Sequence, residues 1–140
     1  MPVFSQNTLP PKLVPLSNVF LTAYADVVPP TAESDPKRWE CWLENACIAS
    51  AVNAGYCVAY RREEPYEVDM IVTGQDSNWA IEVKGGALTS RDLSGLMEVM
   101  ARHYDFRPLV IGEQAYRASA ERIGIGFVRW QDYLLDGLPK

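Results

Sequence analysis

Three strand-like runs in the middle of the chain limit the fold most, because the connections between them are short. Strands are predicted for Tyr56–Tyr60, Glu67–Thr73 and Trp79–Lys84, from their alternation and their β-branched and aromatic residues. The polar turns between them, Arg61–Tyr66 and Gly74–Asn78, have no room for the crossover that parallel neighbours need. The three strands are therefore predicted to form an antiparallel meander.

Helical patterns lie on both sides of this meander in the sequence. A first helix is predicted from an N-cap at Asp35 to about Asn53, with Gly55 as its C-terminal stop. A capping box that begins at Thr89 starts a second helix, which runs to about Tyr104. Strand and helix then alternate in the order Pro108–Gly112, Gln114–Arg122, Ile125–Arg129 and Trp130–Leu135. This order predicts an α/β protein with a mixed β-sheet flanked by helices.

The length of the chain, 140 residues, is that of a single domain. A chain of this size buries enough surface to fold without a disulfide or a structural metal. We therefore predict one domain over residues 1–140. Residues 1–34 are expected to form a proline-rich arm with a short helix from Ser17 to Tyr24, and residues 35–138 the core.

The cysteine and histidine content narrows the kind of site that the chain can build. Cys41, Cys47 and Cys57 lack zinc-ligand spacing, and their odd number does not suggest a disulfide framework. They favour a cytoplasmic location and roles as small core residues. His103 is the only histidine, so a metal site needs oxygen ligands, which favour magnesium, manganese or calcium.

The charge and hydropathy of the chain bear on its partners. The net charge of −5 argues against a broad nucleic-acid-binding surface, although it leaves room for a small basic groove. No run approaches the ~20 apolar residues of a membrane span, so no membrane partner is expected. Ala23-Tyr24-Ala25 resembles a signal-peptidase site, but Pro15 and Asn18 interrupt the apolar stretch before it. An extracytoplasmic binding domain is therefore a hypothesis that rests on this tripeptide alone.

Charged residues interrupt the second predicted strand, where burial would make an unpaired charge costly. Strand alternation places Glu67 and Asp69 on one face, opposite Val68 and Met70. The structural interpretation of Glu67 is a solvated strand residue, and its role stays open.

The third predicted strand carries a second set of charges on one face, Glu82 and Lys84. If the second and third strands pair through the turn at Gly74–Asn78, Asp69 comes beside both of these residues. The cluster is then either a structural ion-pair network or a site.

A site of this composition has a specific chemistry. Two neighbouring carboxylates repel each other, and a bound magnesium ion would relieve the repulsion. The metal would polarise a phosphate or lower the pKa of a bound water. A nearby lysine would orient that water or stabilise charge that develops on the phosphate. Such a cluster is suited to hydrolysing a phosphodiester bond.

The charged strand residues belong to a longer series of motifs. Asp69 is followed, after residues 70–81, by Glu82-Val83-Lys84, and Leu43-Glu44-Asn45 lies on the first core helix. This arrangement resembles the PD-(D/E)xK nuclease superfamily. The wider series also resembles the DUF4143-type C-terminal domain that follows an AAA+ ATPase module; it comprises Pro11–Leu16, Trp42–Asn45, Tyr66–Asp69, Ile81–Lys84 and Arg107–Ile111.

The resemblance implies a restriction-endonuclease-like core and a metal-dependent nuclease. Asp69, Glu82 and the Val83 carbonyl would bind Mg²⁺ or Mn²⁺, and Lys84 and Glu44 would serve catalysis. Val68 stands where the superfamily usually has a proline.

Two questions about partners stay open at this point. Arg61 and Arg62, between the first two strands, either contact the phosphate backbone of DNA or are a solvated loop pair. The sequence has no phosphate loop of the G-x-x-x-x-G-K-[ST] type, so it is either a stand-alone domain or a domain excised from an ATPase-containing protein. In the first case an AAA+ ATPase would act in trans. The alternative to a nuclease is a non-catalytic interaction module, which would bind such an ATPase or a second copy of the chain.

Overall fold

The computed structural model describes residues 29–63 and 66–140. In this part of the chain, one mixed β-sheet has helices packed on both of its faces. Its strands are β1 (Cys57–Glu63), β2 (Tyr66–Thr73), β3 (Asn78–Val83), β4 (Phe106–Gly112) and β5 (Gly126–Arg129). The helices are α1 (Pro36–Asn53), α2 (Ser90–Arg102), α3 (Arg117–Glu121) and α4 (Trp130–Asp136). The predicted α/β class is therefore confirmed, and the finer restriction-endonuclease-like assignment stays a prediction.

Some predictions fall on residues that are not described. The short helix expected from Ser17 to Tyr24 and the Ala23-Tyr24-Ala25 motif both lie outside the described ranges. Of the helices that are described, none combines the length and the apolar character needed to cross a membrane.

The order of the strands in the sheet is their order along the chain, β1-β2-β3-β4-β5. β1, β2 and β3 pair antiparallel, which confirms the predicted meander, whereas β4 joins β3 and β5 joins β4 in parallel. Parallel neighbours need a crossover, and α2 and α3 lie in these two connections. β4 is paired on both edges and mostly buried, as is usual for a central strand with parallel neighbours.

Two hydrophobic layers hold the helices on opposite faces of the sheet. One layer joins α1 and α4 to the sheet residues Met70, Val72, Ile81, Val83 and Ile111. The other joins α2 to the sheet residues Val68, Ile71, Ala80, Val110 and Phe127. In the first layer the Tyr133 hydroxyl donates to the Cys47 carbonyl at 2.8 Å, which connects α4 to α1.

The local signals for helix ends are confirmed in most cases. Asp35 caps α1 by accepting from the Arg38 backbone N–H at 3.1 Å, and Gly55 follows the helix with a φ of 93°. Both hydrogen bonds of the Thr89 capping box are present at the start of α2. The helix predicted over Gln114–Arg122 is instead a 3₁₀ turn followed by the five residues of α3.

The first hairpin is longer than the sequence predicts. Arg61, Arg62 and Glu63 continue β1, because their backbones pair with residues 66–68 of β2. The prediction of a polar turn over Arg61–Tyr66 is therefore wrong, since cross-strand pairing extends the strands into it.

β2 carries a bulge at Asp69. Ala59 pairs with Ile71 and Arg61 pairs with Val68, so one more residue of β2 than of β1 lies between the two pairs. The extra residue breaks the alternation, and Val68 packs on the α2 side whereas Met70 packs on the α1 side. The prediction that Val68 and Met70 share a face is therefore wrong, because a bulge reverses the direction of the side chains that follow it.

α2 packs against β2 beside this bulge. A Cβ atom at Gly95 would overlap the Glu67 carbonyl oxygen, and that oxygen belongs to the backbone of a paired strand. Glycine at this position therefore permits the close approach of α2 to the strand that carries Asp69.

Gly95→Ala is expected to lower the free energy of unfolding by about 1–3 kcal/mol, because the new methyl group meets backbone that cannot move aside. The loss should appear despite the helix propensity of alanine, which is better than that of glycine by ~1 kcal/mol. Urea denaturation measures the difference.

Gly86→Ala is the matched control, since a Cβ atom there meets nothing within 4 Å. We expect it to change stability by less than about 0.5 kcal/mol. Equal effects of the two substitutions would contradict the close approach of α2 to β2.

Candidate functional site

The bulge places Asp69 at the gap between β2 and β3. The backbone pairing of these strands reaches only to Met70 and Ile81 at this end of the hairpin. Next to that pair, the Asp69 Oδ2 atom accepts from the Val83 backbone N–H at 2.9 Å. A carboxylate thus takes the place of a backbone carbonyl, and this hydrogen bond fixes Asp69 at the end of β3.

Glu82 lies next to this carboxylate and is buried, with 6% of its surface exposed. The pKa of Glu82 is raised from 4.5 to about 9, chiefly because the residue is buried. The negative charge of Asp69 contributes to this rise, and its effect on the pKa is larger than the opposite effect of Lys84. Glu82 is therefore protonated at neutral pH. Two carboxyl groups that approach each other without a cation reduce their repulsion in this way.

Lys84 connects two helices at the end of β3. Its Nζ atom lies 3.0 Å from Glu40 Oε1 on α1 and 3.2 Å from Asp92 Oδ1 on α2. Burial lowers the pKa of Lys84, but the hydrogen bonds to Glu40 and Asp92 outweigh this effect and leave the pKa above its ordinary value. The ammonium group is therefore charged and held between two carboxylates.

The capping box of α2 also serves Lys84. The Oδ2 atom of Asp92 accepts from the Thr89 backbone N–H and from the Thr89 hydroxyl, both at 2.8 Å. The other carboxylate oxygen of Asp92, Oδ1, is the one that contacts the Lys84 ammonium group. The start of α2 thus fixes the carboxylate that contacts the lysine.

α1 packs closely against the residue that follows Lys84. A Cβ atom at Gly85 would lie 2.9 Å from Cδ1 of Trp39 and 3.3 Å from Cα of Glu40. Trp39 contacts Trp130 edge to face, with ring centroids 5.4 Å apart. This packing holds Glu40 beside Lys84.

These groups surround one cavity of about 390 Å³ at the end of the sheet. Six acidic residues line it, namely Glu40, Glu44, Glu67, Asp69, Glu82 and Asp92. Three basic residues also line it, namely Lys37, Lys84 and Arg91. The cavity is therefore predominantly acidic and has room for a hydrated cation and a phosphate group.

The structure brings most of the sequence-predicted site residues together. The five that line the cavity are Glu44, Asp69, Glu82, Val83 and Lys84, although their proposed roles stay predictions. Glu67, whose role the sequence leaves open, also lines it. Arg61 and Arg62 lie on β1, and only their backbone pairing is described, so nucleic-acid binding by them stays a prediction.

Sequence reasoning missed the two carboxylates that hold Lys84. Glu40 precedes Glu44 by one turn of α1, so helical periodicity could have placed both on the same face. Asp92 is the last residue of the predicted Thr89 capping box, but a capping motif does not reveal that the second carboxylate oxygen contacts a lysine.

The donor atoms of the site suit a hard cation such as Mg²⁺ or Mn²⁺. Asp69 and Glu82 offer carboxyl oxygens, and Val83 offers a backbone carbonyl. A bound cation would favour the ionised form of Glu82, which burial and the charge of Asp69 otherwise disfavour. Within residues 29–63 and 66–140, no three Asp, Glu, Cys or His side chains are grouped so that they could hold a metal ion. A cation bound here would need the carbonyl and water to complete its coordination, which is common for Mg²⁺.

A scan against protein-family models and a search of curated proteins both found no match for this chain. The likeness to the PD-(D/E)xK superfamily and to the DUF4143-type domain therefore rests on the motifs, and it stays a prediction.

Glu82 should make the folded protein less stable as the pH rises. The folded state keeps the proton of Glu82 up to about pH 9, whereas the unfolded chain releases it near the ordinary value of 4.5. Between these values the unfolded state binds fewer protons, so the free energy of unfolding falls, by at most ~1.4 kcal/mol per pH unit. Glu82→Gln should remove this fall, as measured by urea denaturation across the interval.

Glu121→Gln is the control, because Glu121 is an exposed residue whose contact is a surface ion pair with Arg117. This variant should keep the native pH dependence. If Glu82→Gln also keeps it, Glu82 is charged in the folded protein and the assignment of its proton is wrong.

Proposed function

We propose that this protein is a metal-dependent nuclease that hydrolyses phosphodiester bonds in the cavity at the end of β3. The observation that carries the proposal is the approach of Asp69 to the buried Glu82, in a cavity that also contains the Lys84 ammonium. Burial of a carboxyl group next to another carboxylate is costly, and binding of a divalent cation offsets that cost.

Asp69, Glu82 and the Val83 carbonyl are the groups that would hold Mg²⁺ or Mn²⁺. When bound, such an ion polarises a phosphate and lowers the pKa of a coordinated water. The folded chain supports this assignment because Asp69 is fixed by the Val83 amide, and Glu82 has a proton to release when a cation binds.

Lys84 and Glu44 are the groups that would act on the phosphate and the attacking water. Lys84 provides a charged ammonium whose position Glu40 and Asp92 restrict, so it would stabilise negative charge that develops on the phosphate. Glu44 reaches the cavity from α1, half-buried, and would accept a hydrogen bond from the water.

A non-catalytic interaction module is the second candidate. The observation in its favour is that both contacts of Lys84 are made within the protein, as in a structural ion-pair network. Such a module would bind a second copy of the chain or an AAA+ ATPase in trans, and the acidic cavity would serve stability alone.

A cleavage assay separates the two candidates. We expect the protein to cut at least one member of a panel of supercoiled, linear, single-stranded and branched DNA and RNA, in Mg²⁺ or Mn²⁺ but not in EDTA. Lys84→Ala should lower the rate by about 10²–10³-fold, because it removes a group that stabilises developing charge. Asp69→Asn should abolish cleavage, because it removes the charge of a proposed metal ligand. The amide oxygen of the new side chain can still accept from the Val83 N–H, so the fold should be kept.

Lys140→Ala is the matched control, since it removes an exposed lysine at the end of the chain. It should cleave like the native protein. Cleavage that survives unchanged in folded Lys84→Ala and Asp69→Asn would contradict the assigned site, and absence of cleavage on the whole panel would favour the interaction module.

A further inference from the structure

Two basic side chains at the mouth of the cavity have no place in the reaction chemistry described above. Lys37 and Arg91 both line the cavity and are both exposed. Lys37 is the second residue of α1, and Arg91 is the second residue of α2. Two helix N-termini therefore meet at this cavity, and each carries a cation at the same position.

Helix stability does not explain these cations. The N-terminal turn of a helix carries partial positive charge, so a basic side chain there is unfavourable in isolation. In the described part of the chain the ion-paired basic residues are Arg38, Lys84, Arg102, Arg117 and Arg129. Lys37 and Arg91 are not among them, so their charges are available to a ligand.

The floor of the cavity is acidic, whereas its exposed lining residues carry charges of both signs. Glu82 lies at the floor with 6% of its surface exposed, and Asp69 beside it is half-buried. Lys84 is a single cation that also contacts Glu40 and Asp92, so it does not by itself balance the acidic residues that line the cavity. A phosphodiester that enters the cavity needs other cations, and the exposed basic residues are at the mouth.

We propose that Lys37 and Arg91 bind the phosphates on either side of the phosphate that reaches the carboxylates. A nucleic-acid backbone would then lie across the N-termini of α1 and α2, where backbone N–H groups also favour anions. This inference rests on the proposed function, because it assumes that the ligand of the cavity is a phosphodiester chain. It gives a local route by which a protein whose net charge is −5 would bind a nucleic acid.

The salt dependence of binding tests this proposal. The probes are a short fluorescein-labelled DNA duplex and its single strand, and anisotropy is recorded with Ca²⁺, which takes the same oxygen ligands as Mg²⁺. Each phosphate contact contributes about 0.9 to the slope of log affinity against log salt for a duplex. The Lys37→Gln/Arg91→Gln variant should therefore have a slope shallower by about 1.8. When salt is raised from about 50 to 200 mM, the binding constant of the native protein should fall by a factor about ten times larger than that of the variant.

The control variant removes the same charges elsewhere. Arg107 stacks on Trp79 at the opposite end of β3 and β4, with its guanidinium carbon 4.1 Å from the ring centroid, and Lys140 is at the chain end. Arg107→Gln/Lys140→Gln should keep the native slope. Circular dichroism establishes that both variants are folded.

The outcomes separate this inference from the proposed function. A shallower slope in the cavity variant alone supports the inference, and it does so even if the native protein cleaves nothing. Equal slopes in the native protein and the cavity variant overturn it, even if the native protein cleaves DNA. A similar change in both variants, or no binding of either probe by the native protein, also overturns it.

Discussion

The hydrogen bond between Asp69 and the Val83 amide is the interaction on which the candidate site depends. The extra residue in β2 breaks the strand alternation. The Asp69 carboxylate then accepts the hydrogen bond from the Val83 N–H, which a backbone carbonyl of β2 would accept in a regular pair of strands. Without the bulge, regular pairing would continue along β2 and β3, and the carboxylate would stand above or below the sheet. This one bulge therefore brings Asp69 to the end of β3, next to Glu82 in the strand and Lys84 directly after it.

The helices complete the site because small residues let them come close to the strands. α1 packs on Gly85 and brings Glu40, and α2 packs on the Glu67 backbone through Gly95 and brings Asp92. Lys84 then joins both helices through two ion pairs. The same packing that stabilises the domain thus restricts the position of the ammonium group, and a substitution at either glycine would affect both stability and the site.

Much of this arrangement could be predicted from the sequence because it depends on local signals. The Thr89 capping box, the end of α1 before Gly55 and the short connections of the meander are each set by a few neighbouring residues. The bulge at Asp69 could not be predicted in this way, since it is visible only when the register of both strands is known. The contacts of Lys84 with Glu40 and Asp92 were missed for a related reason, because they join three elements that are distant along the chain.

Calorimetric titration with Mn²⁺ at neutral pH, repeated in buffers of different ionisation enthalpy, tests the central claim that Asp69 and Glu82 form a cation site. The account predicts saturable binding with release of about one proton, because the pKa of Glu82 is about 9 before the cation binds. It also predicts that Asp69→Asn and Glu82→Gln weaken the binding strongly. Absence of saturable binding, or binding that both folded variants retain unchanged, would contradict the account.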